Sequence, residues 1–127
     1  MGFSLSKRSM GRMIGVHPDL VKVVKLAITL TEVDFGVTEG LRTVDRQREL
    51  VAKGASKTMN SRHLNGHAVD LVAYVGSEAR WDWPLYYKIA DAMKRSANAL
   101  GVAIVWGGDW KTFKDGPHFE LDRSKYP

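Results

Sequence analysis

The amino-acid sequence predicts an α+β fold in which helices pack on a small, largely antiparallel sheet. Three observations lead to this prediction. Apolar residues recur at helical spacing in some segments, whereas other segments are short, apolar and rich in β-branched residues. The segments follow one another in the order helix, strand, helix, strand, helix, strand, strand. No internal repeat or linker divides the chain, and we expect one domain over residues 1–127.

Three segments are predicted to be helical: residues 18–30, 44–53 and 84–100. Pro18 suits the first turn of the first helix, where its missing amide hydrogen costs nothing. Thr43 can cap the second helix, and Gly101 is the expected stop of the third.

Four shorter segments are predicted to be strands: residues 34–40, 67–75, 102–106 and 118–121. The second of these is apolar and β-branched around Asp70, which is the pattern of a mostly buried strand. We expect loops or turns over four connections: residues 55–62, 76–83, 107–110 and 111–117.

The composition excludes several classes of protein. With 44% hydrophobic and 26% charged residues, the chain is typical of globular domains. Because it has no cysteine, any metal has to bind to nitrogen and oxygen ligands. The longest apolar stretch, residues 20–30, is interrupted by Lys22 and Lys25, and we expect neither a membrane span nor a secretory signal.

The net charge of +5 favours a polyanionic partner. The candidates are nucleic acid, anionic lipid and the phosphate-rich and carboxylate-rich bacterial envelope. The basic residues are spread along the chain and interleaved with acidic ones, rather than clustered with aromatic residues. We therefore expect no nucleic-acid partner.

Asp70 is the residue that first indicates a functional site. An ionised carboxylate inside the apolar run of residues 68–72 is costly to bury unless it is paired or coordinates a cation. A salt bridge to Arg42 or Arg62, or a place on the solvated face of an edge strand, would also account for it. Strand alternation puts His67 on the opposite face, which makes it a poor co-ligand for Asp70.

Two other histidines complete a possible metal site. His63 lies shortly before the strand, and Gly66 lets the chain fold back toward Asp70. His118 opens the final strand, and Asp115 lies three residues before it across a stiff Gly-Pro turn. Two histidines and one carboxylate leave a fourth tetrahedral position open, which is typical of a catalytic zinc site.

Several stretches resemble known signatures. Residues 61–70, Ser-Arg-His-Leu-Asn-Gly-His-Ala-Val-Asp, resemble the Ser-x-His-x-x-Gly-x-Ala-x-Asp signature of the D-alanyl-D-alanine carboxypeptidase and dipeptidase superfamily of zinc peptidases. Residues 106–110 and 115–121 resemble the C-terminal signature of the L-alanyl-D-glutamate endopeptidase endolysins of tailed phages. The run Gly-Leu-Arg-Thr with Gln47 downstream also matches. Many carboxypeptidases of the superfamily have glutamate where this chain has Asp115, which favours the phage branch.

The resemblance implies a role for each candidate residue. It implies that one zinc ion is bound by His63, Asp70 and His118. Asp115 would be the catalytic base, and Arg42 would hold the carbonyl oxygen or a substrate carboxylate. Ser61 is expected to contact substrate or to support the residues that do. Three further residues are expected to contact substrate or to shape a core or pocket wall: Trp106, Asp109 and Trp110.

The resemblance also implies a fold and a function. The fold would be that of D-Ala-D-Ala carboxypeptidases and Hedgehog-like domains, with the zinc site on the sheet. We expect a monomeric endolysin without a separate cell-wall-binding domain, made in the host cytoplasm and acting on periplasmic peptidoglycan after release. The alternatives are a D,D- or L,D-carboxypeptidase acting on stem peptides and a catalytically silent, zinc-containing wall-binding module. A calcium ion has no support, because no calcium-loop pattern is evident.

Overall fold

The computed structural model describes residues 2–56 and 58–127. Met1, within the predicted domain, and Lys57, within the predicted loop over residues 55–62, lie outside the described residues. The described elements follow in the order α1 (Lys7–Arg12), α2 (Pro18–Leu30), β1 (Asp34–Glu39), α3 (Val44–Ala52), β2 (Ala68–Val75), β3 (Glu78–Arg80), α4 (Trp83–Leu100), β4 (Ile104–Trp106) and β5 (His118–Leu121). Short 3-10 turns cover Arg62–Asn65 and Gly107–Asp109.

The strands form one sheet in which all the described pairings are antiparallel. The strand order is β1-β2-β5-β4, and β3 pairs with the end of β2. Helices α2 and α4 pack against each other and contribute with the sheet to one hydrophobic core. The predicted α+β fold with a small antiparallel sheet is confirmed.

Strand alternation places apolar side chains on one face of the sheet and the polar residues of the site on the other. Val69 and Leu71 of β2 and Phe119 of β5 point into the core with the helices. Asp70 and His118 occupy the intervening positions and therefore lie on the opposite face. The core thus fixes the strands from one side while the polar residues of the other side stay available for chemistry.

The predicted helices agree with the structure to within a residue or two. Helix α2 covers the predicted residues 18–30, α3 ends at Ala52, and α4 begins at Trp83. The strand predicted over residues 102–106 starts only at Ile104, because the Val102 N–H closes the end of α4 by donating to the Ala97 carbonyl at 2.9 Å. In the described part of the chain, no helix is both long and apolar enough to cross a membrane.

Two elements were not predicted, α1 and β3, and the loop expected over residues 76–83 is wrong where β3 forms. Helix α1 depends on a tertiary contact as well as on its Ser6 cap, since the Ser9 hydroxyl accepts a hydrogen bond from the Val37 N–H at 2.9 Å. Strand β3 forms because Gly76, at φ 61°, turns the chain back along β2. Neither cause is visible in a local apolar pattern.

Tyr86 joins helix α4 to the sheet. Its side chain is 1% exposed. Its hydroxyl donates to the Leu71 carbonyl at 3.2 Å and accepts from the Ala73 N–H at 3.3 Å. The start of α4 is therefore held at a defined position over the middle of β2.

Tyr126 anchors the C-terminal end of the chain. Its hydroxyl donates to Asp19 Oδ2 at 2.7 Å, and its ring meets the edge of the His17 ring at a centroid distance of 5.2 Å. Its carbonyl accepts a hydrogen bond from Arg62, whose guanidinium also contacts His67 Nδ1 at 2.7 Å. This anchor supports the 3-10 turn that begins at Arg62.

We predict that Tyr86→Phe lowers the free energy of unfolding by about 1–2 kcal/mol, because the variant loses a buried hydroxyl that pairs with two strand groups. Urea denaturation measures the change. Tyr87→Phe is the matched control, since Tyr87 is 60% exposed and should lose little. Equal stabilities of the two variants would contradict the role assigned to the Tyr86 hydroxyl.

We also predict that His67 makes stability depend on pH. Burial, with the nearby charges of Arg62 and His17, lowers the pKa of His67 below 6.5. The unfolded chain therefore binds more protons here than the folded protein, so stability falls as the pH drops through about 6.5 until the folded-state pKa is reached. His67→Gln should lose less stability than wild type on acidification, as measured by urea denaturation across that range. Parallel profiles would refute this contribution.

Candidate metal centre

Three side chains converge on the polar face of the sheet. His63 comes from the 3-10 turn, Asp70 from β2 and His118 from β5. Asp70 and His118 are directly opposed in the antiparallel pairing of β2 with β5. One ligand atom of each residue lies within 4.8 Å of the other two, so this group can hold a metal ion. The structure thus brings together the three residues that were predicted from the sequence to be metal ligands.

The hydrogen bonds of the two imidazoles leave one nitrogen of each facing Asp70. His63 Nε2 lies 3.2 Å and His118 Nδ1 lies 3.3 Å from Asp70 Oδ1. The outward nitrogens have acceptors of their own, the Gly40 carbonyl for His63 and Glu120 Oε1 for His118, each at 2.8 Å. If each ring donates its N–H proton to the outward acceptor, the two inner nitrogens present lone pairs to the Asp70 carboxylate. Three electron-pair donors then face one another, and a cation between them is favourable.

The electrostatics of the site also call for positive charge. Burial alone would raise the pKa of Asp70, but its hydrogen bonds with His118 and His63 outweigh burial and hold the pKa well below its usual range. Burial lowers the pKa of His118, yet the hydrogen bonds to Asp70 and Glu120 raise it to about 9. A proton or a metal ion can supply the charge that these acceptors favour.

Gly66 explains how His63 reaches the strand. It ends the 3-10 turn in a left-handed conformation, φ 76°, that favours glycine. A Cβ atom at this position would lie 2.3 Å from the Gly15 carbonyl oxygen, so only glycine fits. The turn therefore delivers His63 next to Asp70, as the sequence predicted. His67, which strand alternation predicted to be a poor ligand, contacts Arg62 instead.

Asp115 lies at the edge of the same site. Its N–H donates to the Gly107 carbonyl at 3.0 Å, and its carbonyl accepts from the His118 N–H at 3.2 Å. Burial, with the negative charge of Asp70, raises the pKa of its carboxyl. A Cβ on Gly107 would lie 2.3 Å from the Asp115 carbonyl oxygen, which shows how closely the chain packs here. Backbone contacts thus hold a carboxyl of raised pKa beside the candidate ligands.

Arg42 also lines the site. Its Nε donates to Glu39 Oε1 at 2.6 Å, a second nitrogen also bonds Glu39, and Nη1 donates to Gln47 Oε1 at 2.7 Å. Nη1 lies 3.4 Å from the Ser61 hydroxyl, and Nη2 lies 3.7 Å from Asp70 Oδ2. Of the two arginines considered as ion-pair partners of Asp70, Arg42 is the one that approaches it. The guanidinium is held in one orientation by these contacts.

Three residues that the sequence did not nominate support the site: Glu39, Gln47 and Glu120. Glu120 follows His118 by two residues on the same strand face, and that period of two was the available signal. Gln47 is fully buried, and its amide donates to the Ser56 hydroxyl at 2.8 Å as well as accepting from Arg42. Gln47 lies only five residues after Arg42, and the match of both residues to the family pattern was the available signal for their contact.

The candidate ligands line a cleft of about 660 Å³. Ser61 and Trp110, both nominated as substrate contacts, line this cleft together with Asp115. The Trp110 ring lies 5.1 Å from the His118 ring. The more exposed cations Arg46 and Arg123 stand at its margins.

The structure does not bring the other two nominated contacts, Trp106 and Asp109, into the cleft. Trp106 is 3% exposed, and its Nε1–H donates to the Gly116 carbonyl at 2.7 Å. Asp109 is on the surface and forms an ion pair with Lys94 at 2.7 Å. Trp106 therefore supports the wall behind the site, which is the second of the two roles expected of it.

The sequence is similar to a family of known peptidases. A family model described as phage L-alanyl-D-glutamate peptidase matches residues 1–125. The L-alanyl-D-glutamate peptidase of Escherichia phage T5 is 30% identical over an alignment of 130 positions, which covers 99% of this chain and 94% of that protein. The peptidoglycan L-alanyl-D-glutamate endopeptidase CwlK of Bacillus subtilis (strain 168) is 32% identical over 84% of this chain and 73% of its own length.

Solved structures agree with these relationships. The crystal structure of the Serratia marcescens L-Ala D-Glu endopeptidase ChiX superposes with a TM-score of 0.92 at 51% identity, covering 95% of this chain and 91% of that one. The vancomycin-resistance D,D-dipeptidase VanXYg superposes with a TM-score of 0.55 at 18% identity, covering 84% of this chain and 50% of its own. The second likeness shows a shared fold.

We predict that zinc stabilises the metal-free protein through this group. At a free zinc concentration 100 times Kd, the stabilisation should be about 2.7 kcal/mol, seen as a rise in Tm. Asp70→Ala should abolish the rise, because it removes one of the three ligands and the negative charge that favours a cation between the histidines. An equal rise in this variant would show that zinc binds elsewhere.

We predict further that Glu120→Ala weakens zinc binding about 10- to 100-fold, because His118 loses the acceptor that orients its ring. Isothermal titration calorimetry measures the affinity. Glu49→Ala is the control, since Glu49 is an exposed carboxylate paired with Arg46 on α3. Unchanged affinity in Glu120→Ala would refute the orienting role of Glu120.

Proposed function

This chain belongs to the phage L-alanyl-D-glutamate peptidase family, and from that membership we propose that it is a zinc-dependent peptidoglycan hydrolase. Its proposed substrate is the bond between L-alanine and D-glutamate in murein stem peptides. The observation that carries the proposal is the group formed by His63, Asp70 and His118, which opens on a cleft also lined by Asp115. The volume of the cleft suits a short peptide segment.

The donor set fits zinc. Two imidazole nitrogens and one carboxylate oxygen are ligands that zinc takes, and they leave its fourth position open. The hydrogen bonds of His63 to the Gly40 carbonyl and of His118 to Glu120 orient both rings, as metal-binding histidines require. Zinc bound there would polarise the scissile carbonyl and lower the pKa of water toward neutrality.

We assign proton transfer to Asp115. Its carboxyl has a raised pKa, and a general base works best when its pKa lies near the pH at which the enzyme operates. It would accept a proton from the attacking water as the new C–O bond forms. It would then donate that proton to the amine nitrogen of D-glutamate as the peptide C–N bond breaks.

Arg42 is the proposed stabiliser of negative charge on the carbonyl oxygen. Glu39 and Gln47 hold its guanidinium in place, so the cation does not have to reorganise during the reaction. The more exposed Arg46 and Arg123 suit the free carboxylates of the stem peptide. On this proposal the enzyme acts as a monomer on the bacterial cell wall.

Mass spectrometry of digested muropeptides tests the proposed bond. We expect products with a new N-terminal D-glutamate, loss of activity on chelation and recovery on addition of zinc. Release of terminal D-alanine alone would replace the proposal with a carboxypeptidase. A zinc-loaded protein without any turnover would replace it with a wall-binding module.

We predict that Asp115→Asn lowers kcat about 10²- to 10⁴-fold on a soluble stem peptide, because an amide cannot accept the proton. Zinc content should stay at the wild-type level, since Asp115 is not among the proposed ligands. Asp109→Asn is the matched control: it makes the same change at a surface residue paired with Lys94 and should retain activity. Wild-type kcat in Asp115→Asn would refute the assigned base.

A further inference from the structure

Three large aromatic side chains are exposed around the start of α4, outside the candidate metal centre. Trp81, Trp83 and Tyr87 expose 63%, 42% and 60% of their surface. We call these three residues the aromatic shelf. Grouped apolar rings that remain in contact with water are typical of a binding surface.

The aromatic shelf rests on a rigid base. Trp83 and Tyr87 are four residues apart on α4 and therefore share one helix face, with ring centroids 6.0 Å apart. The buried Trp106 lies behind both, 6.4 Å from Trp83 and 5.5 Å from Tyr87. Because Tyr86 fixes the start of α4 to the sheet, the outer rings need little ordering when they bind a ligand.

Trp83 brings the aromatic shelf close to the lining of the cleft. A Cβ atom on Gly116 would lie 3.2 Å from Cζ3 of Trp83, so the Trp83 ring lies directly against this glycine. Gly116 is the neighbour of Asp115, which lines the cleft. A long polymer held in the cleft can therefore reach the shelf.

The polar groups beside the rings indicate the chemistry of the ligand. Arg80 and Asp82 flank Trp81 and form an ion pair at 2.5 Å, with side chains 40% and 47% exposed. Sugar rings present polarised C–H groups that pack on the electron-rich faces of aromatic rings, and hydroxyls that bond to guanidinium and carboxylate groups.

We infer that the aromatic shelf binds the N-acetylated hexosamine units of the peptidoglycan glycan strand while the stem peptide occupies the cleft. This inference rests on the proposed function, because glycan and stem peptide belong to one polymer. It assigns the shelf to recognition of the intact wall rather than to cleavage of the peptide.

The test uses the double variant Trp81→Ala/Tyr87→Ala in the full chain. Both side chains are mostly exposed, and Trp83, which lies against Gly116, is left intact. We expect binding of the N-acetylglucosamine tetramer and activity on insoluble peptidoglycan each to fall about tenfold, with kcat/KM on a soluble stem peptide unchanged. Phe3→Ala, which removes an exposed ring outside the shelf, should match wild type in all three measurements. Tetramer binding is followed by nuclear magnetic resonance of the backbone amides around the shelf.

Three results would overturn the inference. Wild-type affinity of the double variant for the tetramer would show that the rings do not bind sugar. An equal loss on soluble and insoluble substrates would show that the rings only shape the cleft. A concentration-dependent dimer that the double variant disperses would show that the surface binds a second copy. If the wild-type protein does not turn over the stem peptide, this contradicts the proposed function instead. The tetramer titration still tests the shelf in that case, because it does not depend on turnover.

Discussion

The carboxylate of Asp70, set in an otherwise apolar strand, is the constraint on which the site depends. A charge at that position has to be compensated, and the pairing of β2 with β5 compensates it by placing His118 directly opposite. The 3-10 turn that ends at Gly66 brings His63 to the same carboxylate oxygen. The core on the other face of the sheet keeps these strands in register, so the packing of apolar residues fixes the geometry of the polar ones.

The groups around the three candidate ligands extend this constraint outward. Each imidazole is oriented by an acceptor on its far side, and Arg42 is oriented in the same way by Glu39 and Gln47. Such partners restrict rotation before a substrate arrives, which reduces the reorganisation that catalysis requires. The raised pKa of Asp115 has a related origin, because the burial that shelters the site also disfavours the ionised form of a carboxyl at its edge.

The packing of α4 links the cleft to the surface beyond it. Tyr86 positions the helix over the sheet, and Trp106 contacts both the outer rings of the helix and the turn beside Asp115. One buried aromatic residue therefore supports two neighbouring surfaces. On the proposed function, this arrangement lets the enzyme hold the polymer and one of its peptide bonds at the same time.

The sequence by itself determined the α+β class, the long helices, the strands β2 and β5, and the identity of the three candidate ligands with the adjacent Asp115. These depend on apolar periodicity, helix caps, strand alternation and short motifs, all of which operate between residues close in the chain. The tertiary structure decided that the Gly40 carbonyl orients His63 and that β1 holds α1 in place through Ser9. The physical reason is distance along the chain: His63 and Gly40 are 23 residues apart and Ser9 and Val37 are 28 apart, so only folding of the whole domain brings their atoms within bonding range.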